Sequence, residues 1–130
     1  MKRKEALLAF LFLLVGFLWA RDLPMTSGTV DPGARGKLTV DKQNLKVEVQ
    51  HLAPASALTP PKMGYVVWIQ PPDHPPENHG VFKVNKGEKG SFETTTAYPR
   101  YDVFVTAEDN PQTTVPSGPE VLRASVAPES

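Results

Sequence analysis

Gly64-Tyr65-Val66-Val67-Trp68-Ile69-Gln70 is the stretch on which the fold turns. It carries no charge, it is rich in β-branched and aromatic residues, and proline-rich segments bound it on both sides (Ala53–Lys62 and Pro71–His79). A run this short is too brief for a helix. An apolar run without alternation fits a central strand covered on both faces. Tyr65 and Trp68 stand three apart, so in a strand they point to opposite faces. One belongs to the core, and the other reaches a second layer or a surface that binds a partner.

The same grammar repeats on either side. Leu45-Lys46-Val47-Glu48-Val49-Gln50-His51-Leu52 alternates apolar and polar residues, which sets Leu45, Val47 and Val49 toward the core and Lys46, Glu48 and Gln50 toward water. Lys37–Val40, Val81–Val84, Ser91–Thr96, Asp102–Glu108 and Glu120–Val126 read as further strands. Asn85–Gly90, with two glycines, reads as a hairpin turn between two of them. No helical period follows the N-terminal segment. About seven short strands parted by Gly/Pro turns predict an all-β domain over residues 37–128, an immunoglobulin-like β-sandwich. Tyr98 or Tyr101, just before a strand, could bond back to backbone as a tyrosine corner does.

The N-terminus reads differently. Lys2, Arg3 and Lys4 precede the uncharged run Ala6–Ala20, which ends at Arg21-Asp22. A basic cluster before about 15 apolar residues is the pattern of a secretory leader. Residues 1–21 are expected to act as a signal peptide or as an uncleaved signal anchor oriented by the basic cluster. Ala20 could precede a cut, although Leu18 fits the small-x-small rule poorly. Either way the domain is exported, periplasmic or extracytoplasmic, secreted or tethered, and touches membrane only through this segment. Residues 22–36, rich in Pro, Gly, Ser and Thr, read as a flexible linker.

Composition narrows the function. The leader through Arg21 holds four of the 14 basic residues and one of the 14 acidic ones, which leaves 10 against 13. A mildly acidic domain has no reason to seek phosphate backbones, so nucleic acid is an unsuitable partner. The chain has no cysteine, which excludes disulfides and thiolate metal sites.

Candidate chemistry is sparse. Asp73-His74-Pro75-Pro76-Glu77-Asn78-His79 gathers imidazoles and carboxylates that suit zinc or copper, so Asp73, His74 and His79, with Glu77, are the candidate metal ligands. A stiff Pro-Pro loop with no third histidine nearby is more simply a solvated connection, and no metal or other cofactor is expected. Ser56, Ser117 and Ser125 lie in no nucleophile-elbow context, and Glu108-Asp109 reads as a solvated turn at a strand end. No catalytic set emerges.

Three blocks together resemble the extracytoplasmic C-terminal domain of anti-sigma-K-type factors: Tyr65–Ile69, Gly80-Val81-Phe82, and Asp102–Glu108 followed by Pro116-Ser117-Gly118-Pro119-Glu120-Val121-Leu122. The similarity covers Tyr65 to Leu122. The chain lacks the cysteines of that family's cytoplasmic zinc domain, so the resemblance implies the immunoglobulin-like outer domain alone, with no catalytic residues. The expectation is a non-catalytic exported interaction or structural module of the bacterial cell envelope, with an envelope protein or envelope component as partner. The alternative is a metal-binding envelope protein using the Asp73–His79 loop.

Overall fold

A computed structural model of the chain describes residues 20–128; the expected signal segment lies, but for its last two residues, outside the described residues. Eight strands form the fold: β1 (Arg21–Ser27), β2 (Arg35–Asp41), β3 (Asn44–Gln50), β4 (Gly64–Gln70), β5 (Glu77–Phe82), β6 (Gly90–Thr95), β7 (Tyr101–Glu108) and β8 (Glu120–Val126). A single 3-10 turn, Ala55–Ala57, interrupts the loop before β4. The domain is all-β.

The strands form one antiparallel sheet in the order β5-β4-β7-β8-β1-β2-β3-β6. β1 changes partner along its length, pairing with β2 over Arg21–Met25 and with β8 at Thr26 and Ser27. The outermost strands, β5 and β6, curl back to touch each other through side chains, so the sheet nearly closes on itself. The enclosed face is apolar: Leu38, Val47 and Val49 from one side meet Tyr65, Val67, Ile69, Val103 and Val105 from the other. These are the alternating positions of β3 and one face of β4, as the sequence pattern requires.

β4 is buried on both faces. Tyr65 joins the enclosed core, while Trp68 packs with Val66 and Phe104 in a separate cluster on the outer face of the sheet. Trp68 is 0 % exposed. The residues three apart do diverge, and each finds its own apolar layer.

Several expectations shift. Residues 22–36, expected as a flexible linker, instead hold nearly all of β1, a turn and the start of β2. β1 escapes the sequence pattern because Asp22, Pro24 and Thr26 are exposed and only Met25 is fully buried. Asn85–Gly90 turns as expected, with the Asn85 side chain accepting from the Gly87 and Lys89 amides at 2.9 and 3.1 Å. The turn does not close a hairpin, because β5 pairs with β4 and β6 with β3. The tyrosine-corner bond also falls elsewhere: Tyr65 donates its hydroxyl to the Ala53 carbonyl, whereas Tyr98 donates to Glu77.

Strand direction divides the domain into two poles. Arg21 begins β1 at the proximal pole, shared with the β2–β3 turn and the β4–β5 and β6–β7 connections. The distal pole carries the β1–β2 turn, the long β3–β4 loop (51–63), the β5–β6 turn and the long β7–β8 loop (109–119).

Candidate functional site

The segment singled out for metal splits between a loop and a strand. Asp73 and His74 are exposed in the β4–β5 connection, and Glu77 and His79 belong to β5. Val67 pairs with Gly80 and Trp68 with Asn78, which makes His79 the extra residue of a β-bulge. Gly80 sits at φ +140, and a Cβ there would lie 2.9 Å from the Phe92 ring, so glycine alone serves. The bulge turns His79 toward β6. Its Nδ1 lies 2.9 Å from Thr94 Oγ1 and its Nε2 lies 3.5 Å from Glu77 Oε1.

Glu77 Oε2 accepts the Tyr98 hydroxyl at 2.7 Å. That bond holds the Glu77 carboxyl below its ordinary value and raises the Tyr98 phenol, because it favours the ionised acid and the protonated phenol. The His74 and Tyr98 rings stand 6.5 Å apart. Among the described residues no three His, Cys, Asp or Glu side chains gather as a metal site would need. Asp73, His74 and His79 are therefore not brought together. Glu77, His79, Thr94 and Tyr98 instead zip the seam between the two edge strands, where backbone pairing is missing. Together with the bulge, this blunts two edges that could otherwise pair with foreign strands.

A second cluster was hidden from the sequence. Glu108, expected in a solvated turn, is 2 % exposed. It shares a face of β7 with Thr106 and Phe104, and neighbouring Trp68 completes a chain of hydrogen bonds there. Trp68 Nε1 donates to Thr106 Oγ1 at 2.8 Å, and that hydroxyl donates to Glu108 Oε2 at 2.5 Å. The carboxylate also accepts the backbone N–H groups of Ser117 and Gly118 at 3.1 Å. Gly118 is obligatory, because a Cβ would come within 1.7 Å of the Ala107 carbonyl oxygen.

These bonds tie down the β7–β8 loop as a strap. From β7 it crosses to β5, where Asn78 Nδ2 donates to the carbonyls of Pro111 and Thr113 at 3.1 and 2.8 Å, and then returns to β8. The outer face of β4 lies beneath this path. Arg123 finishes the cover: its guanidinium lies 4.4 Å from the Phe104 ring centroid and binds Asp102 and Glu120. The hydroxyls considered as nucleophiles are scattered, with Ser56 exposed within the 3-10 turn, Ser117 in the strap and Ser125 donating to Asp102 at 2.8 Å near the proximal pole.

The third feature is a cleft of about 290 Å³ at the distal pole. Tyr65 and Phe82 stack beneath it with ring centroids 5.6 Å apart, and Ser56, Lys62, Lys83 and Val84 form its sides. Met63 stands at its rim and is 70 % exposed. Burial pushes the Tyr65 phenol up to about 12, with the negative charge of Asp31 adding to the effect. The Pro-rich composition of 53–62 marked this region as a loop, and nothing in it announced a cleft. The available signal was Met63, a large apolar side chain outside any strand period.

Comparison of the chain with protein-family models, with curated proteins and with solved structures finds no match.

Proposed function

We propose that this chain is a non-catalytic exported module of the bacterial cell envelope that binds an envelope protein or envelope component. The observation that carries the reading is the unequal pair of poles. The longest connections, 51–63 and 109–119, gather at the end opposite Arg21, and Arg21 follows the apolar run Ala6–Ala20 without a spacer. Loops on a rigid β scaffold are where recognition is usually built. With residues 1–21 acting as signal peptide or anchor, the loop-bearing pole faces away from the point of membrane passage.

In this reading the eight strands are layered as an immunoglobulin-like sandwich, β1-β2-β3-β6 against β5-β4-β7-β8. The change of partner within β1 supports it, since a strand shared by two layers makes that switch. The resemblance to the outer domain of anti-sigma-K-type factors points the same way, because its blocks fall on β4, β5, β7, the strap and β8. The metal alternative gains no support from the geometry, since both ring nitrogens of His79 face protein partners.

Two assays test the proposal. Protease added to spheroplasts should degrade the domain while intact cells protect it, and washed envelopes should retain purified domain saturably. A cytosolic domain, or retention that does not saturate, would overturn the reading.

A further inference from the structure

We infer that the distal cleft between the 3-10 turn and the end of β5 is a docking site for an acidic peptide segment that inserts one apolar side chain. The inference rests on the binding-module reading and gives that module a contact point. Size comes first. A cleft of about 290 Å³ lies at the bottom of the range for small-molecule pockets, so it suits one aromatic or aliphatic side chain rather than a whole cofactor. Its bottom is a stacked aromatic pair, Tyr65 and Phe82, which offers the apolar contact such an anchor needs. Met63 at the rim is the adaptable kind of side chain that recurs at binding surfaces. Val81 stands close by, exposed, with its Cγ2 3.1 Å from where a Gly64 Cβ would be.

Charge selects the partner. Lys83 lines the cleft, and Lys86 and Lys89 follow in the same exposed turn with Glu88 as its only acid. Lys62, on the other side, is paired with Asp109 at 3.3 Å, which offsets its charge, so the positive excess at the opening comes from the turn that carries Lys83, Lys86 and Lys89. This basic rim stands out on a domain whose residues beyond Arg21 carry 13 acids against 10 bases. Opposite charge on a partner speeds encounter and sets orientation, while the buried anchor supplies most of the affinity. An apolar residue flanked by carboxylates meets both demands.

The test uses the whole chain purified from envelopes and a fluorescein-labelled peptide with one phenylalanine flanked by glutamates. Control peptides carry alanine for the phenylalanine, or glutamine for every glutamate. Anisotropy should show saturable binding that weakens with salt, about tenfold weaker for either control peptide. Met63→Glu and Lys83→Glu should each weaken it about tenfold or more, whereas Lys46→Glu, away from this pole, should leave it unchanged. The inference is overturned by absent binding, by equal binding to Met63→Glu and the native chain, or by a preference for phosphatidylglycerol vesicles over the peptide. Saturable envelope retention that survives Met63→Glu would sink the cleft and leave the binding module standing. Loss of retention in the native chain itself would sink the module.

Discussion

Replacing Glu108 with Gln removes one charge and no volume, and it should loosen the strap. The carboxylate accepts from Thr106 Oγ1 at 2.5 Å and from the Ser117 and Gly118 amides at 3.1 Å. Hydrogen bonds to a charged group contribute about 1.5–3 kcal/mol against about 0.5–1.5 for neutral ones, so two backbone bonds lose about 1 kcal/mol each. The new amide group also points N–H at N–H for at least one donor, which adds about 1 kcal/mol. The total is about 3 kcal/mol, a large part of the roughly 5–15 kcal/mol that a domain possesses. At about 4–8 °C per kcal/mol for a domain near this size, the melting temperature should fall by at least about 12 °C. Circular dichroism measures the melt. In a Trp19→Phe background, Trp68 is the sole tryptophan, and its emission should shift to the red as the cover opens. Glu93→Gln, on an exposed position of β6, is the control and should stay within about 0.5 kcal/mol. A Glu108→Gln protein that melts within about 2 °C of the native one, with unshifted Trp68 emission, would refute the reasoning.

Three further outcomes follow from the same contacts. Trp68→Ala empties a fully buried site and breaks the stack on Phe104, so urea unfolding should show a loss of about 3–5 kcal/mol; a loss under about 1 kcal/mol would mean the outer cluster is not a core. Tyr65 favours its protonated form when folded, so its contribution is fully present below the unfolded value near 10 and fades as pH rises toward about 12; a denaturation midpoint that holds steady from pH 9 to 12 would contradict this, and Tyr65→Phe should flatten the alkaline decline. Glu77 works the other way: its lowered carboxyl contributes above the ordinary carboxylate value and loses that contribution as pH falls through the depressed one, and Tyr98→Phe should move the Glu77 titration, followed by NMR, upward toward the ordinary value.

How much of this was legible in the sequence depends on what kind of signal each element carries. β3 and β4 were readable because burial dictates their pattern directly: strict alternation where one face is wet, an unbroken apolar run where both are covered. β1 was not. Its place comes from backbone pairing with β2 and β8, which demands no particular side chains, and its proline and exposed polar residues imitate a tether. The start of β5 was missed for a related reason, since the bulge at His79 breaks the period that would have extended the strand back to Glu77. Glu108 shows the deepest gap. A carboxylate at a strand end is usually solvated, and only the returning strap, whose Ser117 and Gly118 amides arrive from about ten positions away, makes it a buried acceptor. The distal cleft depends on the β3–β4 and β5–β6 loops meeting over the ends of β4 and β5, which no local pattern encodes.

The central claim is that the loop-bearing distal pole binds a partner in the envelope. Site-specific photo-crosslinking in living cells tests it most directly, with the reactive group placed in turn at Met63 and Lys83 in the cleft and at Lys46 and Glu93 on the exposed sheet face. The account predicts one discrete adduct from Met63 and Lys83, abolished by Phe82→Asp, and none from Lys46 or Glu93. Adducts that form from the sheet face and spare the distal pole would contradict it.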